Sequence, residues 1–160
     1  MRVWMALALV IGCAGCSKPA ETSADKVTAV PTDDARMNAA MEKARSTADT
    51  FIAALKSPKS TQTAFSVKAP FTDGTNVEYM WLAPVTYDGK SFHGQINNKP
   101  EKVHNIKLGQ TVTIEPSKIA DWMIVDNGAL VGGYTTRAVR DSMSPAERAE
   151  FDKTLPFTMN

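Results

Sequence analysis

The stretch Phe65-Ser-Val-Lys-Ala-Pro-Phe-Thr-Asp-Gly-Thr-Asn-Val-Glu-Tyr-Met-Trp-Leu82 decides the fold of this chain. Apolar side chains occupy every second position of its first half, which is the period of a half-buried strand. Asp73-Gly74 follows, and this dipeptide favours the positive backbone angles of a tight turn between antiparallel strands. The stretch therefore predicts a hairpin in which residues 65–72 pair with residues 75–82.

Both faces of this predicted hairpin carry large side chains. With Asp73-Gly74 in the turn, Val67 opposes Met80 on one face, and Tyr79 and Trp81 fall on the other. One interpretation is that the sheet curls and buries both faces. The other is that the aromatic face is a recognition surface, since tryptophan and tyrosine are common interface anchors.

Two further turn signals extend the sheet outward from this hairpin. Asp88-Gly89 and Asn127-Gly128 are again typical of hairpin turns. The predicted pairs are residues 85–87 with 90–96 and residues 123–126 with 129–131, and residues 107–115 are predicted to form a turn and a strand. No crossover helix separates these segments, so the sheet is predicted to be antiparallel.

One helix is predicted before the strands in the sequence and another after them. Residues 33–56 read as one long helix, which Thr32 or Asp33 would cap. Its apolar stripe consists of Met37, Met41, Ala44, Ala48, Phe51, Ile52 and Leu55. Ser144-Pro145 and Glu147 form a capping box for a short C-terminal helix. The predicted class is α+β: a long N-terminal helix on a strongly bent antiparallel sheet or partial barrel, with a short C-terminal helix.

The first sixteen residues are typical of a bacterial lipoprotein signal. Arg2 precedes an apolar run at residues 3–11, which is much shorter than the roughly 20 residues that span a bilayer. Small residues beside cysteine follow this run. Cys16 is the predicted acylation site, because cutting before its rival Cys13 would leave an unusually short signal.

This signal divides the chain into three predicted parts. Residues 1–15 are a lipoprotein signal peptide, residues 16–32 a lipid-anchored flexible linker, and residues 33–160 a single globular α+β domain. The expected location is the cell envelope, where the lipid anchor binds the membrane. No Asp follows either cysteine, which favours the outer membrane, facing the periplasm.

Composition argues against several partners and cofactors. With 18 basic and 17 acidic residues, the chain lacks the basic field that nucleic acid requires. His93 and His104 are its only histidines, and neither has a cysteine nearby, so no metal site is predicted. No cofactor motif is present, and no sequence feature sets the oligomeric state.

Five stretches of the chain resemble a bacterial family of unknown function. They are Glu78-Tyr-Met-Trp-Leu82, Phe92-His-Gly-Gln-Ile-Asn97, Leu108-Gly-Gln-Thr-Val112, Ile119-Ala-Asp-Trp122 and Asn127-Gly-Ala-Leu-Val-Gly-Gly-Tyr-Thr135. On these residues the chain is similar to the YegJ-like family, domain of unknown function 2314, from about residue 37 to residue 157. A His often precedes the Met-Trp pair in that family, whereas Tyr79 stands there here. The resemblance implies the family's fold and brings no established activity.

The favoured functional hypothesis is a non-enzymatic binding or interaction domain tethered to a membrane. Its partner would be an envelope protein or polymer, and no catalytic residue is assigned. The predicted partner or ligand surface consists of Trp81, Tyr79, Asp121, Trp122, Tyr134 and Arg137.

Two alternatives stay open on the sequence. One is a hydrolase-type enzyme acting on an envelope component, with Asp121 or Glu78 as the acid or base and His93 nearby. It requires these three side chains to converge in one pocket. The other alternative is a purely structural or stress-related lipoprotein.

Overall fold

The computed structural model describes residues 34–159. The predicted signal peptide, both candidate acylation sites and the predicted linker lie outside these residues. Within the described part, no helix is both long enough and apolar enough to cross a bilayer.

Six strands form one open antiparallel sheet, in the order β4-β3-β2-β1-β5-β6. The strands are β1 (Gln62–Asp73), β2 (Asn76–Tyr87), β3 (Phe92–Ile96), β4 (Thr111–Ile114), β5 (Asp121–Asp126) and β6 (Ala129–Gly132). The helices are α1 (Ala35–Ser46), α2 (Ala48–Lys56), α3 (Tyr134–Asp141) and α4 (Pro145–Thr154), and a 3₁₀ turn covers Pro116–Lys118. The predicted α+β class and antiparallel sheet are confirmed.

The β1–β2 hairpin keeps its predicted faces although its register differs. Val67 pairs with Leu82, two positions beyond the predicted Met80, because Gly74-Thr75 forms the turn. Side chains alternate between faces with a period of two, so a two-position shift leaves each of them on the same face. The inner face, which packs on the helices, and the outer face are therefore those that the sequence predicts.

Of three other local predictions, two are confirmed and one is wrong. Asn127-Gly128 forms the predicted two-residue turn, and Ser144 and Glu147 form the capping box that begins α4. Asp88-Gly89, in contrast, lies in a longer loop, since β2 and β3 first pair at Tyr87 and Phe92.

The N-terminal helix differs from its prediction at its start and in its middle. Asp34 caps it by accepting a hydrogen bond from the backbone N–H of Arg36. The single long helix is wrong, since the chain divides into α1 and α2 at Thr47. The Thr47 hydroxyl bonds back to the preceding turn, and the indole N–H of Trp122 donates to the Ala44 carbonyl at 3.1 Å. Such insertions into a helix's hydrogen-bond ladder cause breaks.

The core lies between α1, α2 and the inner face of the sheet. Phe51 of α2 is fully buried at its centre, and its ring lies 5.5–6.0 Å from those of Phe65, Phe92 and Trp122. Aromatic contacts at such distances add about 0.5–1.5 kcal/mol each beyond the burial of their area. Phe51 thereby joins α2 to β1, β3 and β5.

Candidate functional site

The six residues of the predicted partner surface do not lie together. Trp81 and Tyr79 are half-buried on the outer face of β2. Trp122 points to the inner face and is 1% exposed, and Asp121 is 0% exposed. Trp81 and Trp122 therefore do not share one surface, because β2 and β5, which flank β1, carry these rings on opposite faces of the sheet.

Tyr134 and Arg137 belong to α3, a helix that the sequence did not predict. The Tyr134 ring packs edge-on against Trp122, with centroids 5.7 Å apart. The Arg137 guanidinium donates to the backbone carbonyls of Gly132 and Leu130, at 3.0 and 2.7 Å. Arg137 therefore ties α3 to β6.

Asp121 caps α3 across the fold. Its Oδ1 accepts the backbone N–H groups of Trp122 and Tyr134 at 2.8 and 3.1 Å. Its Oδ2 accepts the backbone N–H and the hydroxyl of Thr135, at 2.8 and 2.6 Å. A helix start exposes unpaired N–H groups and a positive partial charge. The N-cap residue itself, Gly133, has no side chain to serve them, so a buried carboxylate from β5 does so.

Lys68 completes a buried polar cluster, Lys68–Thr135–Asp121, on the outer face of the sheet. Its Nζ donates to the Thr135 hydroxyl at 3.5 Å, and that hydroxyl donates to Asp121. Burial lowers the pKa of Lys68, which the charge of Asp121 opposes. Burial likewise raises the pKa of Asp121 against the stabilising effect of its hydrogen bonds and of Lys68. Perturbed, coupled groups of this kind mark candidate functional sites as well as structural ion networks.

Trp81 forms the exposed margin of this cluster. The Lys68 ammonium lies 5.5 Å from the centre of the Trp81 ring, within the range of a cation–π contact. The backbone N–H of Trp81 also donates to Asn98 at 2.6 Å, which fixes this part of β2. The indole is consequently held in place while part of it stays accessible.

Sequence reasoning missed Lys68 and Thr135 as site residues. The signal in the sequence was Lys68, which lies on the same face of the predicted hairpin as Trp81. A cationic side chain beside a large aromatic ring on one face of a sheet indicates a contact between them. Thr135 offered no comparable signal, because its role depends on Asp121, which lies 14 positions earlier in the chain.

The three residues of the hydrolase hypothesis do not converge. Glu78 accepts hydrogen bonds from the backbone N–H groups of residues 101–103, at 2.9–3.2 Å. His93 contacts Asp88 and Thr113 instead, and Asp121 is fully buried under α3. The three side chains contact different parts of the fold, so this combination does not form an active site.

The described residues 34–159 contain no candidate metal centre. No group of three or more His, Cys, Asp or Glu side chains there is placed to hold a metal ion. A shallow groove of about 370 Å³ runs between α1 and α3. It is lined by Arg36, Ala39, Ala40, Lys43, Tyr134, Arg137, Ala138 and Asp141.

Comparison with known proteins identifies the family. A family model described as an uncharacterized protein conserved in bacteria, DUF2314, matches residues 34–158. The chain belongs to this family. The resemblance seen in the sequence is therefore confirmed, and the DUF2314 match covers nearly all of the described structure.

Two curated relatives share this segment. The uncharacterized protein YegJ of Escherichia coli K12 is 39% identical over 103 residues, which cover 64% of this chain and 66% of YegJ. A putative ankyrin repeat protein of Neisseria meningitidis serogroup B is 39% identical over 90 residues, which cover 54% of this chain and 36% of that protein. The matches thus span about two thirds and about one third of these relatives. No solved structure matches the chain.

Three of the five sequence pieces that carried the DUF2314 resemblance meet at one place in the fold. The Met-Trp-Leu piece supplies Trp81, the Ile-x-Asp-Trp piece supplies Asp121, and the Gly-Gly-Tyr-Thr piece supplies Thr135. Lys68 contacts Trp81 and Thr135 and interacts electrostatically with Asp121. The candidate site of this DUF2314 domain is therefore the Lys68–Thr135–Asp121 cluster with Trp81 at its exposed margin.

Proposed function

We propose that this chain is an envelope lipoprotein whose DUF2314 domain binds a protein or polymer of the bacterial envelope through the outer face of its sheet. Support for the tether comes from the leader, where a basic residue, a short apolar run and Gly-Cys follow one another. Acylation at Cys16, with Cys13 as its rival, would hold the protein in the outer membrane, facing the periplasm.

The observation that carries the binding proposal is the position of Trp81. Its ring is partly accessible on the outer face, and the Lys68 ammonium and the bonded backbone hold it in place. Tyr79 lies two residues away on the same face, about 7 Å along the strand. Preorganised aromatic rings lose little conformational entropy on binding, which is why they serve as interface anchors.

The proposed linker would set how far the outer face of the sheet can extend from the membrane. Residues 16–32 are small, polar and punctuated by proline. A flexible chain of this length has an end-to-end distance of about 20–25 Å. A domain held at that distance can contact envelope components near the membrane without inserting into it.

Site-specific photo-crosslinking in living cells tests the binding proposal. Tyr79 is replaced by benzoylphenylalanine in the full chain, and the cells are irradiated. A protein partner gives a discrete adduct, whereas a polymer partner makes the chain sediment with the isolated envelope polymer. In both cases Trp81→Ala is expected to reduce the adduct at least tenfold, because the anchoring ring is lost.

The control places the same photo-reactive residue at Leu108, which is 60% exposed in the turn before β4. We expect no adduct at this position. The binding proposal fails if position 79 gives no adduct, if position 108 gives the same adducts, or if Trp81→Ala leaves the adduct at position 79 unchanged.

A further inference from the structure

A second polar constellation, Asp88–His93–Thr113, lies on the outer face at the other end of the sheet. Asp88 Oδ2 lies 2.8 Å from His93 Nε2, and His93 Nδ1 lies 3.0 Å from the Thr113 hydroxyl. His93 pairs directly with Thr113 across β3 and β4. A hydroxyl, an imidazole and a carboxylate connected in this order are the arrangement that activates serine and threonine nucleophiles.

The carboxylate of the Asp88–His93–Thr113 constellation is held in a fixed orientation. Asp88 Oδ1 accepts the backbone N–H groups of Lys90 and Ser91, each at 2.7 Å, so Oδ2 is left to face the imidazole. The hydrogen bond with His93, together with those from Ser91 and Lys90, holds the pKa of Asp88 well below its usual range. Asp88 is therefore an acceptor at neutral pH.

This orientation sets the tautomer of the neutral imidazole. A carboxylate can only accept a hydrogen bond, so Nε2 of His93 carries the proton. Nδ1 then has a lone pair, and it accepts from the hydroxyl of Thr113. The imidazole is placed to take that proton as the hydroxyl oxygen attacks an electrophile.

The Asp88–His93–Thr113 constellation is also accessible to solvent. The side chain of His93 is 39% exposed, and Thr113 is exposed on β4, an edge strand. A buried network of this kind would serve only the fold, whereas here a reagent can approach the hydroxyl from solvent. His93 pairs with Thr86, five positions along β2 from Trp81, so this constellation is separate from the proposed binding surface.

We propose that Thr113 is an acyl-accepting nucleophile, with His93 as its general base and Asp88 as the positioning residue. The substrate class is an ester. Thr113 Oγ1 attacks the ester carbonyl carbon while its proton passes to His93 Nδ1, and Asp88 stabilises the imidazolium. The carbon–oxygen bond to the alcohol then breaks, and the alcohol leaves with the proton from His93. Water, activated by the same imidazole, cleaves the acyl-threonine to give the acid and regenerate the hydroxyl.

The test uses p-nitrophenyl acetate on the purified full chain, with release of p-nitrophenol and peptide mass spectrometry as readouts. The expected result is an acetyl adduct on Thr113 in samples that are quenched with acid before water cleaves the acyl-threonine. His93→Gln should reduce the rate of its formation at least tenfold, since general bases contribute about 10²–10⁴-fold. Thr113→Val should abolish the adduct, and Asp88→Asn should give an intermediate rate.

Thr111→Val is the matched control, because Thr111 is an exposed threonine on the same face of β4 but pairs with Gln95 and not with His93. It should leave both readouts unchanged. The thermal unfolding of every variant is measured to exclude loss of the fold. The proposal is overturned if the adduct is absent from Thr113 in the native chain, or if it forms as quickly in His93→Gln.

Discussion

Gly132 is the residue at which the backbone leaves no room for a side chain. A Cβ there would lie 2.4 Å from the Trp122 carbonyl oxygen and 2.6 Å from its ring, and φ is +72°. Positive φ costs a non-glycine residue about 1–2 kcal/mol, and overpacking adds about 1–3 kcal/mol. We expect Gly132→Ala to lower the free energy of unfolding by about 2–5 kcal/mol in urea titrations.

Gly128→Ala provides the matched control for this prediction. Its φ is +76°, and a Cβ there would meet no atom within 4 Å. Only the backbone cost of about 1–2 kcal/mol should appear. Equal losses in the two variants would show that the close approach of Gly132 to Trp122 contributes nothing.

Asp121 is the residue on which the start of α3 depends. Asp121→Asn replaces one acceptor with an NH₂ group that faces donors, which leaves a buried backbone N–H unsatisfied and Lys68 without its counter-charge. We expect a loss of about 2–4 kcal/mol in the free energy of unfolding. Hydrogen exchange of the α3 amides should accelerate more than that of the β1 amides.

Asp141→Asn, at the exposed end of the same helix, is the control and should cost less than about 0.5 kcal/mol. A double-mutant cycle with Lys68→Met adds a second check. Because the charges of Lys68 and Asp121 compensate one another, the double variant should cost less than the sum of the singles. Strict additivity would contradict the coupling.

The two Trp residues of the described domain illustrate which residue-level features were predictable. Alternation along β1 and β2 placed Trp81 on the face opposite Met80, and this is correct even though the turn residues differ. The burial of Trp122 was not predictable in the same way. It depends on Phe51, Tyr134 and the Ala44 carbonyl, all of which lie far from Trp122 in the sequence.

At the scale of secondary-structure elements, a helix with a local cap was predicted from the sequence, and a helix that is capped by a distant residue was not. Helix α4 begins with a capping box written within four consecutive residues, and the sequence predicted it. Helix α3 begins at Gly133 without a side-chain cap of its own, and its capping group comes from β5. A search for local helix starts therefore finds α4 and misses α3, together with the contacts of Arg137.

Glu78 connects β2 to the loop at residues 101–103 and should make that connection sensitive to acid. Partial burial raises its pKa, but the backbone N–H groups of Lys102, Glu101 and Val103 outweigh that effect and lower it. The ionised carboxylate thus stabilises the fold above its unfolded pKa, near 4.5, and this stabilisation is lost as the pH falls below that value.

Glu78→Gln should consequently flatten the decline in the free energy of unfolding between pH 5 and pH 3. It should also accelerate hydrogen exchange at residues 101–103 at pH 7, where the native carboxylate is fully ionised. Glu42→Gln, on the exposed side of α1, serves as the control and should change neither measurement. An unchanged pH profile in Glu78→Gln would contradict the role given to Glu78.

At the scale of the whole molecule, the domain is held together by contacts between distant parts of the chain. Phe51 links residues before the sheet to β3 and β5, and Asp121 links β5 to α3. Both cysteines of the chain lie at positions 13 and 16, outside this domain. Residues 34–159 therefore contain no disulfide, and packing, hydrogen bonds and ion pairs stabilise this part of the chain.

The lipid-anchor proposal leads to a prediction about the whole molecule. Thioether acylation requires the thiol of the first residue after the cut, and two or more acyl chains hold a protein firmly to a membrane. Expressed in a two-membrane bacterium, the native chain should sediment with membranes and dissolve in detergent. Cys16→Ser should release it from the membrane fraction, whereas Cys13→Ser should leave it bound.

Mass spectrometry of the detergent extract identifies the modified residue and separates the outcomes. Acyl groups on an N-terminal Cys16 would confirm the favoured site. Acyl groups on Cys13 would show that Cys13, and not Cys16, carries the anchor. An unmodified chain that stays with membranes in both variants would contradict the anchor itself. The folds of the variants should be indistinguishable, because neither cysteine belongs to the described domain, so any change in fractionation reports on the tether and not on stability.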